Sequence, residues 1–328
     1  MRPTFTRAFH FLGALLVLTL LLGACQTQHQ VYGVMPTTPY VPAPLGPYLY
    51  HVALRSADDG WIVGGSFNAS GSPNGMTTLH YTQGHWRPVP IDTVLFSVAL
   101  PGGADVWGVG LNGTIRRFTG TAWQTVASPT TTVLRDIFML SSKLGWAVGD
   151  DGVILAYDGS HWRYAPDSGA FNALRLLSLS MLSASDGWAV GENGTILHFD
   201  GQRWNRVSSP TTDDLESIEM LSPRDGWIVG DHGTILHYTG STWQSVASPS
   251  ATEWYSLSMD SATDGWASGE DGIVMHYTGG MWQLDPQAGV KGYDLSSIAM
   301  LAAGEGWIVG QRNLIRHDQQ ATWSTYQL

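Results

Sequence analysis

The 328-residue sequence is poor in cysteine, in basic residues and in charge as a whole. Its single cysteine, Cys25, has no partner with which to staple a small domain by a disulfide. Asp and Glu (27 together) outnumber Lys and Arg (16), and the resulting net charge of -11 argues against a nucleic-acid-binding surface. After residue 22, no apolar run is long enough to span a membrane. The 15 Trp and 39 Gly, by contrast, exclude a disordered chain and favour a globular protein with a sizeable core.

The first 25 residues have the pattern of a bacterial lipoprotein signal peptide. Arg2 and Arg7 precede an apolar run, Phe11 to Leu22, which is too short to span a bilayer as a mature helix. The run ends in small residues directly before the only cysteine. We therefore predict a signal peptide at residues 1–24, lipidation of Cys25, and export to the outer side of the cytoplasmic membrane or the cell surface. The alternative is a plain secretory signal with a chance cysteine.

Residues 25–47 contain the lipidated cysteine and a proline-rich linker. Proline-rich stretches are semi-rigid spacers, so the segment is expected to separate the membrane from the folded body. Two roles stay open for residues 31–47, because they could also add a strand to that body. The prolines are Pro36, Pro39, Pro42, Pro44 and Pro47.

Residues 48–328 repeat one unit seven times. Each unit carries a tryptophan within a variant of Gly-Trp-Ala/Ile-Val-Gly, and six units carry a second tryptophan 16 residues later. In the first unit the spacing is 25 residues because of an insertion, Ser66 to Met76. Fourteen of the 15 tryptophans are repeat positions: Trp61, Trp107, Trp146, Trp188, Trp227, Trp266 and Trp307 in the first set, and Trp86, Trp123, Trp162, Trp204, Trp243, Trp282 and Trp323 in the second.

The repeat predicts an all-β fold, a seven-bladed β-propeller with four antiparallel strands per blade. Each unit of about 40 residues contains four short β-rich segments separated by turn sequences. Small residues such as Ser217 and Ser256 suit an innermost strand, and the tryptophans are expected to fill the space between blades. Ring closure is expected from packing of the first unit against the last, or from a fifth strand at 31–47. The blades are predicted at about 48–92, 93–130, 131–167, 172–211, 212–250, 251–287 and 291–328.

The succession Gly-Trp-Ala-Val-Gly, Gly-Thr-Ile-Leu-His, a turn and Trp resembles the photosystem II assembly and stability factors. Those are seven-bladed propellers with Asp-box (BNR) turns, related in architecture to WD40/YVTN-like propellers. The resemblance covers about residues 48–328 and is clearest at Gly187 to Trp204, Gly226 to Trp243 and Gly265 to Trp282. The Asp-box is shortened here, and the family's arginine patch has no counterpart among the scattered arginines. The resemblance implies the propeller fold and, in a photosynthetic cell, an assembly role.

Acidic residues gather in two kinds of loop that are expected to share one face of the propeller. These loops are the turns between second and third strands and the connections between blades. We hypothesise an acidic crescent that binds a cation or a basic partner. The alternative is turn chemistry, since Asp-Gly favours tight hairpins. The candidate residues are Asp151, Asp231 and Asp271 in the turns, and Asp213, Asp214 and Glu253 in the connections.

Trp254 is the one tryptophan outside the repeat, and Tyr255 follows it at the start of a first strand. Aromatic residues at a channel entrance are candidate stacking platforms for a sugar or a peptide. The alternative for Trp254 is that it fills a wider gap between blades. The insertion Ser66 to Met76 is expected on the same face as a mobile flap.

Neither a metal site nor an enzyme active site is predicted. Histidines recur on the third strands, but equivalent positions lie a whole blade apart, too far for one ion with bonds of about 2.0–2.1 Å. A sialidase-like glycosidase would need a cluster of arginines, and Arg135 and Arg175 are the ones expected to reach the channel. That alternative therefore depends on the carboxylates of the loop face. The histidines are His80, His198, His237, His276 and His317.

The sequence favours a non-catalytic, monomeric, lipid-anchored extracytoplasmic scaffold without a cofactor. It would hold a protein or a glycan on the loop face, and contact the membrane through Cys25. One alternative is a glycosidase. The other is a photosystem assembly factor, if the host is photosynthetic.

Overall fold

The computed structural model describes residues 48–171, 173–301, 304–319 and 322–328. Within them the chain forms seven sheets, each of four antiparallel strands in chain order. The predicted seven-bladed propeller is thereby confirmed. Cys25, the predicted signal peptide and the predicted linker at 25–47 lie outside the described residues, as does the fifth strand considered for 31–47.

Each blade is built from contiguous sequence. In the first four blades the strands are β1 (Tyr48–Ser56), β2 (Asp59–Phe67), β3 (Pro73–Thr82) and β4 (His85–Pro88); β5 (Leu95–Gly102), β6 (Asp105–Gly110), β7 (Ile115–Phe118) and β8 (Trp123–Val126); β9 (Leu134–Ser141), β10 (Leu144–Gly149), β11 (Ile154–Tyr157) and β12 (Trp162–Tyr164); β13 (Leu176–Ser183), β14 (Asp186–Gly191), β15 (Thr195–Phe199) and β16 (Trp204–Val207). In the last three they are β17 (Leu215–Ser222), β18 (Asp225–Gly230), β19 (Ile235–Tyr238) and β20 (Trp243–Ser245); β21 (Trp254–Ser261), β22 (Asp264–Gly269), β23 (Val274–Thr278) and β24 (Met281–Leu284); β25 (Leu295–Leu301), β26 (Glu305–Gly310), β27 (Ile315–Gln319) and β28 (Trp323–Thr325).

Short 3-10 turns join the second and third strands of five blades. They combine two successive residues in the left-handed region, such as His232 (φ 53°) and Gly233 (φ 74°), which makes a tight hairpin. A side chain at Gly233 would also meet the carbonyl oxygen of Ser250 at 2.2 Å. None of the helical segments among the described residues has the length and apolarity of a membrane span. The turns are Leu111–Gly113, Asp150–Gly152, Asp231–Gly233, Glu270–Gly272 and Gln311–Asn313.

The first strand of every blade faces the propeller axis and packs against the first strands of the two neighbouring blades. Each of these inner strands carries a β-bulge near its beginning. In β17, Leu215 pairs with Gly230 and Ser217 with Val229, so Glu216 has no partner across the ladder. The same register shift recurs in the other six inner strands. A bulge re-aims the side chain of the extra residue, here toward the channel.

The core lies between the blades, as predicted. Twelve of the fourteen repeat tryptophans are buried. At six of the seven interfaces the second-strand tryptophan of one blade meets the fourth-strand tryptophan of the next edge to face, with ring centroids 5.2–5.9 Å apart. This geometry suits the quadrupoles of two indole rings and adds to the burial of their large surfaces.

A ring of hydrogen bonds also joins the inner strands. In six blades the side chain following the bulge accepts a backbone N–H from the next blade, for example Ser217 Oγ from Leu257 at 3.3 Å. At the second blade, Ser97 instead donates to Asp136 Oδ1 at 2.7 Å. Small polar residues on the inner strands therefore satisfy backbone donors that no ladder reaches. The other acceptors are Ser297 for Val52, His51 for Val98, Asp136 for Leu179, Ser178 for Ile218 and Ser256 for Ile298.

The ring closes by packing of the first blade against the seventh. The Trp86 and Trp307 rings lie 5.2 Å apart within one core cluster that contains residues of both blades. Ser297 Oγ accepts the Val52 N–H at 3.1 Å, and both groups are buried. Closure therefore uses the same contacts as the other interfaces, which agrees with the first of the two predicted modes.

Candidate functional site

The seven bulge residues converge on the channel at the face that carries the turns between second and third strands. We call this set the channel mouth, and the face the loop face. The channel cavity has a volume of about 400 Å³. Because each mouth residue comes from a different blade, these residues are far apart in the sequence. Its members are Tyr50, Phe96, Arg135, Leu177, Glu216, Tyr255 and Ser296.

Aromatic rings dominate one side of the channel mouth. The rings of Tyr50 and Phe96, on the first and second blades, meet edge to face at 5.2 Å. Tyr48 stacks on Tyr50 with centroids 5.2 Å apart and an interplanar angle of 19°. Burial raises the pKa of the Tyr50 hydroxyl, so that this group stays neutral and acts only through its ring and its O–H.

Two arginines near the channel, Arg135 and Arg175, lie beside carboxylates. Arg135 is only 7% exposed and donates two hydrogen bonds to Asp150, at 2.5 and 3.0 Å. Arg175 lies 3.3 Å from Glu192 and 4.0 Å from Asp150. Both arginines thus stand on the third and fourth blades beside their own counter-ions.

Glu216 is the most unusual group of the mouth. Its side chain is buried (6% exposed), and its Oε1 has no hydrogen-bond partner among the residues that the structure describes. Burial, and secondarily the nearby Asp231, Asp214 and Glu253 carboxylates, raise its pKa well above the usual range, while Arg135 acts in the opposite direction. A buried carboxyl group without a partner is costly, and such groups concentrate at functional sites.

Glu219 lies deeper in the channel and is anchored. Its Oε2 accepts the Met259 N–H at 2.8 Å, so it takes the role that Ser180 and Ser258 play in neighbouring blades. Burial raises the pKa of Glu219 to about 7, against the opposing hydrogen bond from Met259. Glu219 is thus part of the scaffold, whereas Glu216 lacks such a bond.

The two aromatic candidates from the sequence are separated by the structure. Trp254 is fully buried in the core cluster between the fifth and sixth blades, and its Nε1 donates to Ser248 Oγ at 3.1 Å. It therefore fills a gap, the alternative role, and offers no exposed stacking surface. Tyr255 lines the channel mouth, and its hydroxyl donates to Glu253 Oε2 at 3.2 Å.

The acidic candidates in the connections are near one another and hold the loops together. Asp213 accepts hydrogen bonds from the hydroxyls of Thr211 (2.7 Å) and Thr234 (3.2 Å), and its Oδ1 lies 3.1 Å from His232 Nδ1. Asp214 Oδ1 accepts the Asn193 N–H at 2.8 Å, which ties the fifth blade to the fourth. Most of these oxygens therefore serve local loop structure.

The acidic candidates in the turns lie one per blade. Asp151 and Asp271 are exposed and adopt left-handed backbone conformations (φ 54° and 53°), and the half-buried Asp231 begins its turn. Asp271 Oδ1 accepts the Gly292 N–H at 2.9 Å. No group of three or more His, Cys, Asp or Glu in the described ranges could hold a metal ion, so the cation form of the crescent hypothesis has no geometric support.

The insertion in the first blade lengthens a hairpin. Strands β2 and β3 pair up to Ser66 with Gly75 and Phe67 with Pro73. Asn68 Oδ1 closes the loop by accepting the N–H groups of Ser70 (3.0 Å) and Ser72 (2.9 Å). The predicted flap is therefore a continuation of the strands on the loop face.

The recurrent histidines have a structural role. Each ring stacks on the second-strand tryptophan of its own blade, with centroids 3.7–4.5 Å apart. In the fifth blade, His237 Nε2 also lies 2.8 Å from Asp225 Oδ1, at the start of β18. In the second blade Arg117 takes the same place, above the Trp107 ring at 5.1 Å and paired with Asp105 at 2.7 Å.

Glu216, Tyr50 and Phe96 were missed by sequence reasoning. The sequence could have indicated them through one position of each first strand, which lies between the repeated leucine and the following polar residue. That position varies widely in side-chain type, whereas the residue before it is leucine in six of the seven blades and the residue after it is serine in five. Simple alternation would place it in the blade interior, and only the bulge turns it to the channel.

Comparisons with known proteins agree with the fold. Residues 115–211 match the family model described as Photosynthesis system II assembly factor YCF48. No curated protein matches the chain in sequence. The solved structure "YCF48 bound to D1 peptide" is 18% identical, covers 86% of this chain and 96% of its own, and has a TM-score of 0.68.

Two further structures extend the likeness. YCF48 from Cyanidioschyzon merolae is 17% identical with a TM-score of 0.65, covering 85% of this chain and 97% of its own. The WD40 propeller domain of Doa1 is 13% identical with a TM-score of 0.66, covering 84% and 94%. At these identities the likeness shows the fold, a seven-bladed β-propeller, and the similarity to the photosystem II assembly factor model is confined to residues 115–211.

Proposed function

We propose that the protein is a lipid-anchored, extracytoplasmic scaffold without catalytic activity, which binds an extended segment of a partner protein at the channel mouth. The observation that carries this proposal is the convergence of seven bulge residues on one cavity. Rigid inner strands present aromatic and charged side chains there at the end of a channel of about 400 Å³. Pockets with apolar walls and a few converging polar groups are typical binding sites.

The comparison with YCF48 supports a protein ligand in preference to a glycan. One of the similar propellers, YCF48, has been solved with a D1 peptide bound to it. A role in photosystem assembly is the narrower form of the proposal, and applies if the host is photosynthetic. The general binding role depends only on the mouth itself, because a shared fold does not carry a shared partner.

The arginines do not support the glycosidase alternative. A sialidase-like site would need arginines directed at a substrate carboxylate. Arg135 and Arg175 instead face Asp150 and Glu192. We therefore propose a binding role for the loop face.

Photo-crosslinking in the producing cell tests the binding role. Benzoylphenylalanine is placed at Asp151 or Asp271, which are exposed on the loop face, and at Arg224, which is exposed in the turn between β17 and β18 on the opposite face. We expect one protein to be crosslinked from the first two positions, through one contiguous segment identified by mass spectrometry, and no such adduct from Arg224. Equal adducts from both faces, or none from the loop face, would contradict the proposal.

A separate measurement tests the anchor. In cells fed an alkynyl fatty acid, the wild-type protein is expected to be labelled and to sediment with membranes. Cys25→Ser should lose at least about 90% of the label, because only a thiol accepts the lipid at this position. Thr27→Ser is the neighbouring control and should behave as wild type. Label that persists in Cys25→Ser would rule out this anchor.

A further inference from the structure

Glu216 carries the only carboxyl group among the seven mouth residues. It is 6% exposed, lines the cavity, and its Oε1 accepts no hydrogen bond from a described residue. Other acidic side chains nearby have such bonds: Asp214 holds Asn193, and Glu253 receives the Tyr255 hydroxyl. A buried acceptor without a donor favours any ligand that supplies one.

The charges around Glu216 select a cation as that ligand. From its own blade, Asp214 and Asp231 face it, and from the sixth blade Glu253 does so. On the other side, Arg135 is the opposing positive charge, but it is paired with Asp150. Arg175, on the fourth blade, is likewise beside Glu192. The potential at Glu216 is therefore dominated by carboxylates.

Aromatic rings also line the mouth, and one of them, Phe96, already has the Arg135 guanidinium over its ring at 5.9 Å. Tyr255 follows Glu216 on the next blade in the same ring of bulge residues, and Tyr50 and Phe96 complete the aromatic side. Aromatic faces attract cations, and they also pack the apolar stem of a lysine side chain.

We propose that the channel mouth binds a primary ammonium group, carried by a lysine side chain of the bound protein segment, with the Glu216 carboxylate as its hydrogen-bonded counter-ion. This inference rests on the proposed binding function and specifies the chemistry of its ligand. The lysine stem lies along the aromatic side of the mouth, and the ammonium group supplies the donor that Glu216 lacks.

Ammonium binding and the ionisation of Glu216 are coupled. In the free protein, burial and neighbouring carboxylates raise the pKa of Glu216, so the protonated form persists to higher pH. The ammonium group favours the carboxylate form and lowers that pKa, so binding releases a proton. Affinity for the ammonium group therefore rises with pH until Glu216 is fully ionised in the free protein.

Calorimetric titration of the purified mature protein tests the inference. The probes are a blocked pentapeptide with one central lysine, the same peptide with Nε-acetyl-lysine, and free cadaverine. We expect the lysine peptide to bind at least about 10-fold more tightly than the acetylated one, since a hydrogen bond to a charged group is lost on acetylation. We also expect tighter binding at pH 8 than at pH 6, with proton release detected by comparing two buffers of different ionisation enthalpy.

Glu216→Gln is the decisive variant. It keeps the shape of the side chain and removes its charge, so we expect an affinity loss of about 10-fold or more for the lysine peptide and no proton release. Asp167→Asn removes an exposed carboxylate in the connection between β12 and β13, outside the mouth and the candidate binding residues, and should bind as wild type. Thermal unfolding at pH 8 confirms that both variants are folded.

Three results would overturn the inference: equal binding of the two peptides, equal binding by wild type and Glu216→Gln, or no binding of the lysine peptide. Binding of cadaverine alone would assign the mouth to a free amine and reject the protein segment as its source. A loop-face crosslink to one protein, combined with failure of the lysine peptide, would leave the scaffold role intact and reject only this ligand chemistry.

Discussion

Trp227→Ala is expected to lower the free energy of unfolding by about 4 kcal/mol, as is usual when a buried tryptophan is truncated. Trp227 is 2% exposed and lies between the fifth and sixth blades. Its ring meets Trp282 edge to face at 5.6 Å and stacks on His237 at 4.0 Å. Truncation removes all of these contacts, and the surrounding strands cannot collapse into the cavity without distorting two blades.

The loss should appear as a fall in Tm of roughly 10 °C by differential scanning calorimetry. Trp123→Ala is the matched control, because Trp123 occupies the fourth-strand position of its blade but is only half-buried. Its ring has one edge-to-face partner, Trp61 at 5.4 Å. We expect the control to lose about half as much stability. Equal losses in the two variants would mean that the stability lost does not follow the burial of the truncated indole.

Gly230→Ala is expected to cost about 3 kcal/mol, the upper end of the usual cost of overpacking. Gly230 ends β18 opposite the bulge of β17, and its φ of -173° is ordinary extended backbone. The reason is contact: an added Cβ would stand 2.1 Å from the Asp214 carbonyl oxygen and 3.0 Å from the Leu215 Cα. Backbone must move to relieve this overlap. The last glycine of the repeat meets the equivalent carbonyl at 1.9–2.1 Å in all seven blades.

Gly226→Ala is the control within the same repeat motif. There the added Cβ would approach the Met220 Sδ at 2.3 Å, the far end of a flexible side chain. Met220 can change rotamer, so the cost should be about 1 kcal/mol. Urea unfolding measures both variants. A loss at Gly226 as large as that at Gly230 would show that glycine is kept for another reason than the close approach to the bulge.

The fold could be predicted because the repeated residues are large tryptophans and turn-forming residues, whose roles depend on the local sequence. Tryptophans at a constant spacing, with turn residues between short β-rich segments, leave few architectures other than a ring of blades. The prediction of Trp-filled interfaces followed for the same reason and is confirmed. Ring closure was left with two alternatives, and the contact of Trp86 with Trp307 now supplies the packing mode.

The candidate site could be predicted only in part. Tyr255 was assigned to the channel entrance and lies there, whereas its neighbour Trp254 points into the core. Two adjacent residues on a strand point to opposite faces, and sequence alone does not tell which of them is turned inward at a bulge. For the same reason Glu216 went unnoticed between two repeat positions.

The sequence by itself determined the number of blades, the four strands of each, and the residues between them, because a side chain as large as tryptophan can be buried only where two sheets meet. It also carries the linear motif around Cys25 on which the proposal of a lipid anchor rests. Only the tertiary structure decided which residues share the channel mouth. Seven bulges on seven separate blades bring together side chains that lie about 40 residues apart, and the burial and charge that make Glu216 unusual exist only after the ring has closed.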